Sequence, residues 1–158
     1  MLLIFRPFRV NDYIEVSGNG GTVTEVGIFY TVLIAPDKRE ITVPNGTMIS
    51  AIIVNYSHEK LRRVDLTFDI AYGTDVERAK DIIRSVVTAH PGVKEDPPCF
   101  IRMTEMAENS LRITVRVFVT NAAYWDVRFD LNEQIHKALT ENGIQIPYQQ
   151  MDVHIKND

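Results

Sequence analysis

Residues 43–57 read VPNGTMISAIIVNYS, a Pro-Asn-Gly corner followed by a long apolar run. Proline and glycine mark places where a chain leaves regular structure and changes direction. Short strand-like pieces precede this stretch, and strands alternate with helices after it. We therefore interpret the corner at Pro44, Asn45 and Gly46 as the joint between two folding units.

The segment before the joint has the pattern of a small β unit. Turn residues separate short alternating runs that are rich in β-branched side chains, at 13–16, 22–26, 31–34 and 40–43. The glycine-rich residues 17–21 supply one connection, because glycine adopts positive φ without strain. Four or five such strands predict a small, strongly bent sheet or open barrel. Since so small a unit buries little surface, we expect copies of itself or a partner to stabilise it.

The segment after the joint predicts strands and helices in the order β-α-β-β-α. Alternation marks strands at 64–70, 99–106 and 111–119, and a helical period marks helices between Thr74 and Pro91 and over about 122–141. This order is that of a ferredoxin-like, split β-α-β layer. The predicted fold class is therefore α+β.

A last alternating run stands near the end of the sequence, where Met151, Val153 and Ile155 alternate with polar residues. The backbone of a lone strand must find a pairing partner. Either this strand adds to the preceding sheet, or it pairs with the same strand of other subunits.

Composition excludes several classes of protein. The net charge is -4 at pH 7, and neither side of Ser57 is basic, so no footprint for nucleic acid is present. The single cysteine, Cys99, rules out an internal disulfide framework. The apolar residues 1–5 stop at Arg6, far short of the roughly 20 residues of a spanning helix, and they do not form a signal peptide. We expect the chain by itself to be soluble.

Candidate catalytic and metal-binding residues are few. Glu105 and Glu108 are close enough in sequence to suggest paired carboxylates, but an exposed hairpin end is the simpler explanation, and we favour it. No histidine has the spacing to another histidine or to Cys99 that a metal site needs; the four are His58, His90, His136 and His154. We predict no metal site.

Two further patterns also favour structural roles. The glycine-rich residues 17–21 lack the helix and lysine of a phosphate-binding loop. Tyr124, Trp125 and Phe129 suggest a stacking platform, but only Arg128 accompanies them, so we expect these rings to pack within the protein. The sequence predicts no catalytic residue and no cofactor, and we expect no enzyme.

The joint and four other pieces resemble the small-conductance mechanosensitive channel family (MscS type). The family's pattern is similar to that of Val43-Pro44-Asn45-Gly46 with the apolar run that follows it. The other matching pieces, in family order, are Phe5-Arg6-Pro7-Phe8 with Asp12-Tyr13-Ile14, Gly21-Thr22-Val23, residues 124–135, and Asn142-Gly143-Ile144-Gln145-Ile146-Pro147.

This resemblance implies a domain layout. Residues 1–7 would end a pore-lining helix, 8–57 would form an Sm-like β-domain, and 58–146 would form a ferredoxin-like wall of a cytosolic vestibule. Residues 147–158 would supply a strand to a barrel between subunits, through Met151, Val153 and Ile155. Pro44, Asn45 and Gly46 would form the corner that couples the β-domain to the pore.

The implied function is that of a mechanosensitive channel subunit, in which membrane tension opens a pore that releases ions and small solutes on hypo-osmotic shock. The resemblance implies a homo-heptamer in a cell inner membrane, attached through N-terminal helices that this sequence lacks, with this region on the cytoplasmic side. Cofactors and nucleic acid are not implied.

The sequence departs from the family pattern in its turns and in one aromatic residue. The turn at Asp37-Lys38 lacks the glycine that is frequent there, Gln149 stands where proline is common, and Phe118 replaces a tryptophan. Two alternatives remain open at this point. One is an Sm-like RNA-binding module, which the acidic balance disfavours, and the other is an enzyme built on the ferredoxin-like domain.

Overall fold

The computed structural model describes residues 7–147, and the chain divides into two compact units between Lys60 and Leu61. Each unit contains a β sheet and at least one helix, which confirms the predicted α+β class. Within the described residues, no helix combines the length and the apolar character needed to cross a membrane. The predicted strand at Met151, Val153 and Ile155 lies outside these residues.

The described part of the first unit contains five strands and one short helix. They are β1 (Tyr13–Val16), β2 (Asn19–Val26), β3 (Tyr30–Ile34), β4 (Glu40–Pro44), α1 (Asn45–Ser50) and β5 (Ile53–Asn55). The strands form one antiparallel sheet in the order β4-β3-β2-β1-β5. The core of this unit comprises the strand residues Ile14, Val16, Val23, Leu33 and Val43, with Phe8 before β1 and Met48 from α1.

The glycine-rich segment 17–21 forms a tighter connection than its composition suggests. The turn consists of Ser17 and Gly18, whose φ angles are 50° and 77°, and β2 begins directly afterwards at Asn19. Gly21 lies inside β2, where a Cβ atom would stand 2.9 Å from the carbonyl oxygen of Ile34 on β3. The segment therefore connects strands as predicted, and Gly21 permits the close approach of β2 and β3.

The interpretation of residues 44–46 as the joint between two folding units is wrong, because the units divide between Lys60 and Leu61 and these residues lie within the first unit. Pro44 is the last residue of β4, and Asn45 begins the six-residue helix α1. The apolar run after the corner is also only partly a core segment. Met48 is 1% exposed, whereas Ile49 and Ile52 are 52% and 85% exposed. A run of apolar residues does not show which of them point inward once a short helix sets their directions.

The second unit follows the predicted order β-α-β-β-α, with one additional short strand. Its elements are β6 (Leu61–Ile70), α2 (Val76–Ala89), β7 (Val93–Lys94), β8 (Phe100–Met106), β9 (Leu111–Thr120), a 3₁₀ turn (Asn121–Ala123) and α3 (Tyr124–Glu141). β9 lies between β6 on one side and both β7 and β8 on the other, and every pairing is antiparallel. β6 and β8 are therefore parallel to each other, as a split β-α-β unit requires.

The helices of the second unit pack on one face of its sheet. β9 contributes its buried alternate residues from Leu111 to Val119 to this core. The helices contribute residues spaced four apart, so that one stripe of each helix faces the sheet; they are Ala79, Ile83 and Val87 from α2, and Val127, Leu131, Ile135 and Leu139 from α3.

The ends of both helices follow local sequence signals. Asp75 caps α2, since its carboxylate accepts a hydrogen bond from the backbone N–H of Arg78 at 3.1 Å. α3 ends in a Schellman motif, in which Gly143 has a φ of 75° and the N–H of Ile144 donates to the carbonyl oxygen of Leu139 at 2.9 Å.

The expectation that three aromatic side chains of α3 pack within the protein is wrong for two of them. Tyr124 is half-buried against the core and lies under the guanidinium of Arg62, 3.7 Å from its ring centroid. Trp125 and Phe129 are 57% and 55% exposed and stack on each other with ring centroids 5.8 Å apart. They belong to the helix surface away from the buried stripe.

One turn of the first unit is strained. Lys38 has a φ of 70°, in the left-handed region that costs a residue with a side chain roughly 1–2 kcal/mol. Replacing Lys38 by glycine removes this strain but increases the freedom of the unfolded chain. We predict a net gain of about 0.5–1 kcal/mol in the free energy of unfolding of the first unit, measured by urea denaturation.

The matched control for this prediction is Glu40→Gly, because Glu40 lies in β4 and glycine weakens a strand. The control should lower the free energy of unfolding. If Lys38→Gly lowers it as well, then the positive φ of Lys38 is not a source of strain.

Candidate functional site

Asn45 is the most highly connected residue of the predicted joint. Its side-chain amide donates hydrogen bonds of 2.9 Å to the carbonyl oxygens of both Gly27 and Ile28. Its Oδ1 accepts a 2.9 Å hydrogen bond from the hydroxyl of Thr31, and its backbone N–H donates to the carbonyl oxygen of Phe29 at 2.8 Å. Both amide hydrogens are therefore used. We call this set of four bonds the Asn45 clamp.

The clamp holds the turn between β2 and β3. The turn is closed by a 2.8 Å hydrogen bond from the N–H of Gly27 to the carbonyl oxygen of Tyr30. Thr31, which follows it, is completely buried. The carbonyl groups of residues 27–29 have no ladder partner in this turn, so Asn45 satisfies three backbone acceptors that the sheet leaves over.

The held turn presents two large apolar side chains to solvent. Ile28 is 77% exposed and Phe29 is 80% exposed, although both lie on a turn fixed by hydrogen bonds. We call these two residues the apolar tip. Ile49 lies four residues after Asn45 on α1, hence on the same helix face, and is 52% exposed. A rigid turn that exposes apolar side chains is suited to contact with an apolar partner.

The other two residues of the predicted corner have simpler roles. Pro44 pairs with Tyr30 at the end of β4 and has a φ of -58° as it leads into α1. A Cβ atom on Gly46 would meet nothing within 4 Å, and Gly46 does not have positive φ, so the backbone does not require glycine there. Of the three residues, only Asn45 organises its surroundings.

The sequence reasoning missed Ile28, Phe29 and Thr31. A signal was present, because two large apolar residues stood together in a turn between strands, where polar residues are usual. Their connection to Asn45 could not be found locally, since it spans 14 to 18 positions and depends on how the strands pair.

A cavity of about 630 Å³ lies beside His90 in the second unit, and it is lined by Ser85, Val86, Ala89, His90, Pro91, Asp130 and Gln134. His90 Nε2 lies 3.3 Å from Asp130 Oδ2, and its Nδ1 accepts a hydrogen bond from the N–H of Gly92 at 3.1 Å. The hydroxyl of Ser85 donates to the carbonyl oxygen of Asp81 instead of to His90. This cavity therefore has no paired nucleophile and base, and His90 joins the end of α2 to α3.

The remaining candidates for chemistry are also occupied or dispersed. Glu105 forms a 2.7 Å ion pair with Arg112, so it is not one of two paired carboxylates. In residues 7–147, no three side chains of histidine, cysteine, aspartate or glutamate come together as metal ligands. His154 lies outside the described residues.

Comparison with known families identifies both units. Residues 1–58 match the family model "Mechanosensitive ion channel, beta-domain", and residues 64–146 match "Mechanosensitive ion channel MscS, C-terminal". The two models follow each other along the chain in the order of the two compact units.

Individual relatives agree with this result. The small-conductance mechanosensitive channel of Edwardsiella ictaluri is 43% identical over 155 residues, which cover 98% of this chain and 54% of that protein. The crystal structure of Helicobacter pylori MscS in its closed state matches with a TM-score of 0.94 and 33% identity, covering 99% of this chain and 62% of that one. Arabidopsis thaliana MSL1, at 18% identity and a TM-score of 0.75, shares the fold over 94% of this chain and 56% of its own.

Fold and matches together define the class of protein: a β-domain followed by a C-terminal α/β domain, as found in mechanosensitive ion channels. The chain belongs to the MscS family of these channels. It spans little more than half the length of the relatives named above.

The Asn45 clamp makes a testable prediction about stability. Asn45→Ala removes three side-chain hydrogen bonds and leaves the buried hydroxyl of Thr31 and the carbonyl of Gly27 without partners. We expect a loss of about 2–3 kcal/mol in the stability of the turn, because unsatisfied buried polar groups cost about 1–3 kcal/mol each. In this variant, amide hydrogen exchange at positions 27 and 45 should accelerate by roughly 30-fold or more.

The control is Asn19→Ala, since Asn19 is exposed and makes one side-chain bond, to the carbonyl oxygen of Ser17. Exchange at Gly27 and Asn45 should stay within about twofold in this variant. Equal acceleration in the two variants would contradict the clamp.

Proposed function

We propose that this chain is the cytosolic vestibule portion of a mechanosensitive channel subunit, which releases ions and small solutes through a tension-gated pore on hypo-osmotic shock. The observation that carries the proposal is the consecutive match of both units to the two domains of the family, with a fold that follows the H. pylori channel over nearly the whole chain. In this proposal the chain forms part of a path for solutes and does not catalyse a reaction.

Tension acts on such a channel through a difference in area. A membrane under tension favours the state with the larger in-plane area, so it shifts a two-state equilibrium without any chemical ligand. A soluble domain influences this equilibrium only if its contacts differ between the two states. The contact surface must therefore keep its shape while its partner moves.

The apolar tip meets this requirement in the first unit. Ile28 and Phe29 are exposed, yet their backbone is fixed by Asn45. We assign to Pro44, Asn45 and Gly46 the role of the coupling corner, with Asn45 as the residue that holds the tip against apolar residues of the membrane helices. Ile49, on the same face of α1 as Asn45, extends the apolar surface.

The proposed assembly is a homo-heptamer in a cell inner membrane, with this region on the cytoplasmic side. Sevenfold rotational symmetry would close a ring through identical head-to-tail contacts between subunits. These contacts would cover β4 and β5, the two edge strands of the first sheet. Met151, Val153 and Ile155 would form the strand that pairs between subunits.

The RNA-binding alternative has no support in these comparisons. The described strands of the first unit carry no cluster of basic and aromatic side chains of the kind that binds single-stranded RNA. The enzyme alternative likewise finds no catalytic pair among residues 61–147 of the second unit, where His90 and Ser85 have separate partners.

The assembly can be tested with the chain alone. We expect light scattering to give a mass seven times that of one chain, and deletion of residues 151–158 to reduce it, because the last strand would lose its partners. A single-chain mass at high concentration would contradict the ring. An unchanged heptamer after the deletion would contradict the assignment of the strand.

The coupling role can be tested in a full-length channel that carries this chain. Ile28→Ser with Phe29→Ser should raise the tension needed for opening, measured in membrane patches, because the apolar contact is lost while the Asn45 bonds to the backbone remain. The matched control is Met106→Ser, which alters a 72% exposed apolar residue of the second unit. The same threshold in the tip variant and the control would exclude the tip from coupling.

A further inference from the structure

The second sheet has one face away from its helices, and that face is charged. Its residues alternate with the buried ones, and the cross-strand pairs Asp65–Arg116 and Asp69–Arg112 show that they share a side. The strands place five cations there, namely Arg63, Lys94, Arg102, Arg112 and Arg116, and three carboxylates, namely Asp65, Asp69 and Glu105. This face is thus net positive in a chain whose net charge is -4.

Arg112 is an arginine of this face whose guanidinium already has carboxylate partners. Its Nε lies 2.9 Å from Asp69, and one of its terminal nitrogens lies 2.7 Å from Glu105. The hydrogen bonds that Arg112 donates to Asp69, together with the negative charges of Asp69 and Glu105, raise the pKa of Arg112 above its usual range. Two carboxylates thus occupy this guanidinium.

Arg116 lies four positions further along the same strand, and its guanidinium has no carboxylate within hydrogen-bond distance. Its Nε is buried and has no hydrogen-bond partner, and the closest carboxylate oxygen, on Asp65, is 3.8 Å away. Asp65 is already committed, because it accepts two hydrogen bonds from Arg63, at 2.8 and 3.0 Å. A buried polar group without a partner calls for an explanation such as a bound ion.

The surroundings of Arg116 hold its guanidinium in place and leave part of it accessible. The guanidinium carbon lies 5.0 Å from the ring centroid of Phe100, the residue directly opposite on β8. The Arg116 side chain is still 42% exposed. Since the charge of a guanidinium is delocalised, an anion at the terminal nitrogens would balance the positive charge of the whole group.

A second arginine lies diagonally across the strand pair. Arg102 is opposite Thr114, which is two positions from Arg116, so the two arginines are diagonal neighbours on one face. Arg102 is exposed and forms no ion pair with any described residue. The hydroxyls of Thr104 and Thr114 bond to each other at 2.7 Å beside it.

We propose that Arg102 and Arg116 form a binding site for a small oxyanion, a carboxylate or a phosphate. Two guanidinium groups on neighbouring strands offer several N–H donors to the oxygens of such a group, and charge-assisted hydrogen bonds of this kind are the stronger ones. The site does not depend on the proposed channel function, because it is a property of the second sheet alone.

The test follows the side-chain Nε–Hε signals of the arginines by NMR in the intact chain. Sodium succinate and sodium phosphate are titrated separately, each against sodium chloride at equal ionic strength. We expect the Arg116 signal to shift and saturate with one or both anions at about 1–10 mM, because exposed ion pairs are individually weak. The anion that saturates it distinguishes a carboxylate from a phosphate site.

Arg112 is the internal control in the same spectrum, since its guanidinium is occupied and its signal should not follow the titration. The proposal is overturned if neither anion saturates the Arg116 signal, if chloride gives an equal shift, or if Arg112 shifts as much as Arg116. Those outcomes would indicate general screening of charge.

A matched pair of variants assigns the site to these residues. Arg102→Gln should weaken binding about tenfold, because one of two guanidinium groups is lost. Arg84→Gln is the control, as Arg84 is an exposed arginine on α2 that pairs only with Asp81. An unchanged Arg112 signal shows that the sheet remains folded in Arg102→Gln. Equal affinity in both variants would overturn the role of Arg102.

Discussion

The first unit depends on the hydrogen bonds of one side chain, Asn45. A turn between two strands leaves backbone carbonyl groups that the sheet does not satisfy, and water satisfies them in most proteins. Here an amide from the beginning of α1 takes that place, with contacts to Gly27 and Ile28 and a bond from the buried Thr31. One residue thus fixes the end of β4, the start of α1 and the turn between β2 and β3. The exposed Ile28 and Phe29 gain a defined position from it.

The two faces of the sheet in the second unit differ in polarity: one is apolar and the other is charged. The alternation of β9 sends Ile113, Val115 and Val117 toward the helices and Arg112, Thr114 and Arg116 to the other side. The apolar face provides the free energy of folding, because burial of apolar surface is its largest favourable contribution. The charged face contributes little to stability, since exposed ion pairs are weak. Its arginines are therefore available for other roles, and Arg112 and Arg116 differ in whether a carboxylate already occupies them.

The described part of the molecule is poor in reactive groups, and its polar side chains mostly serve its own backbone. Ser85 donates to a helix carbonyl, His90 joins two helices, and Asn45 holds a turn. The proposed role in a conduit for ions and solutes would need stable walls, defined contacts and a suitable distribution of charge, to which such side chains contribute. The proposed function and the proposed oxyanion site follow from different units of the chain and from different observations.

The sequence by itself determined the elements, because their signals are local. Alternation identified the strands, the helical period identified α2 and α3, and Asp75 and Gly143 marked helix ends through contacts within a few residues. The turn at Asp37-Lys38 departs from the family pattern by lacking glycine, and the structure places Lys38 there with a φ of 70°. Tertiary structure alone decided which apolar residues stay exposed and what Asn45 binds. Trp125, Phe129 and Ile52 are as apolar as core residues, and Asn45 lies 18 positions from Gly27. Such outcomes depend on strand pairing and on which face of an element is covered, and a pattern of neighbouring residues does not contain that information.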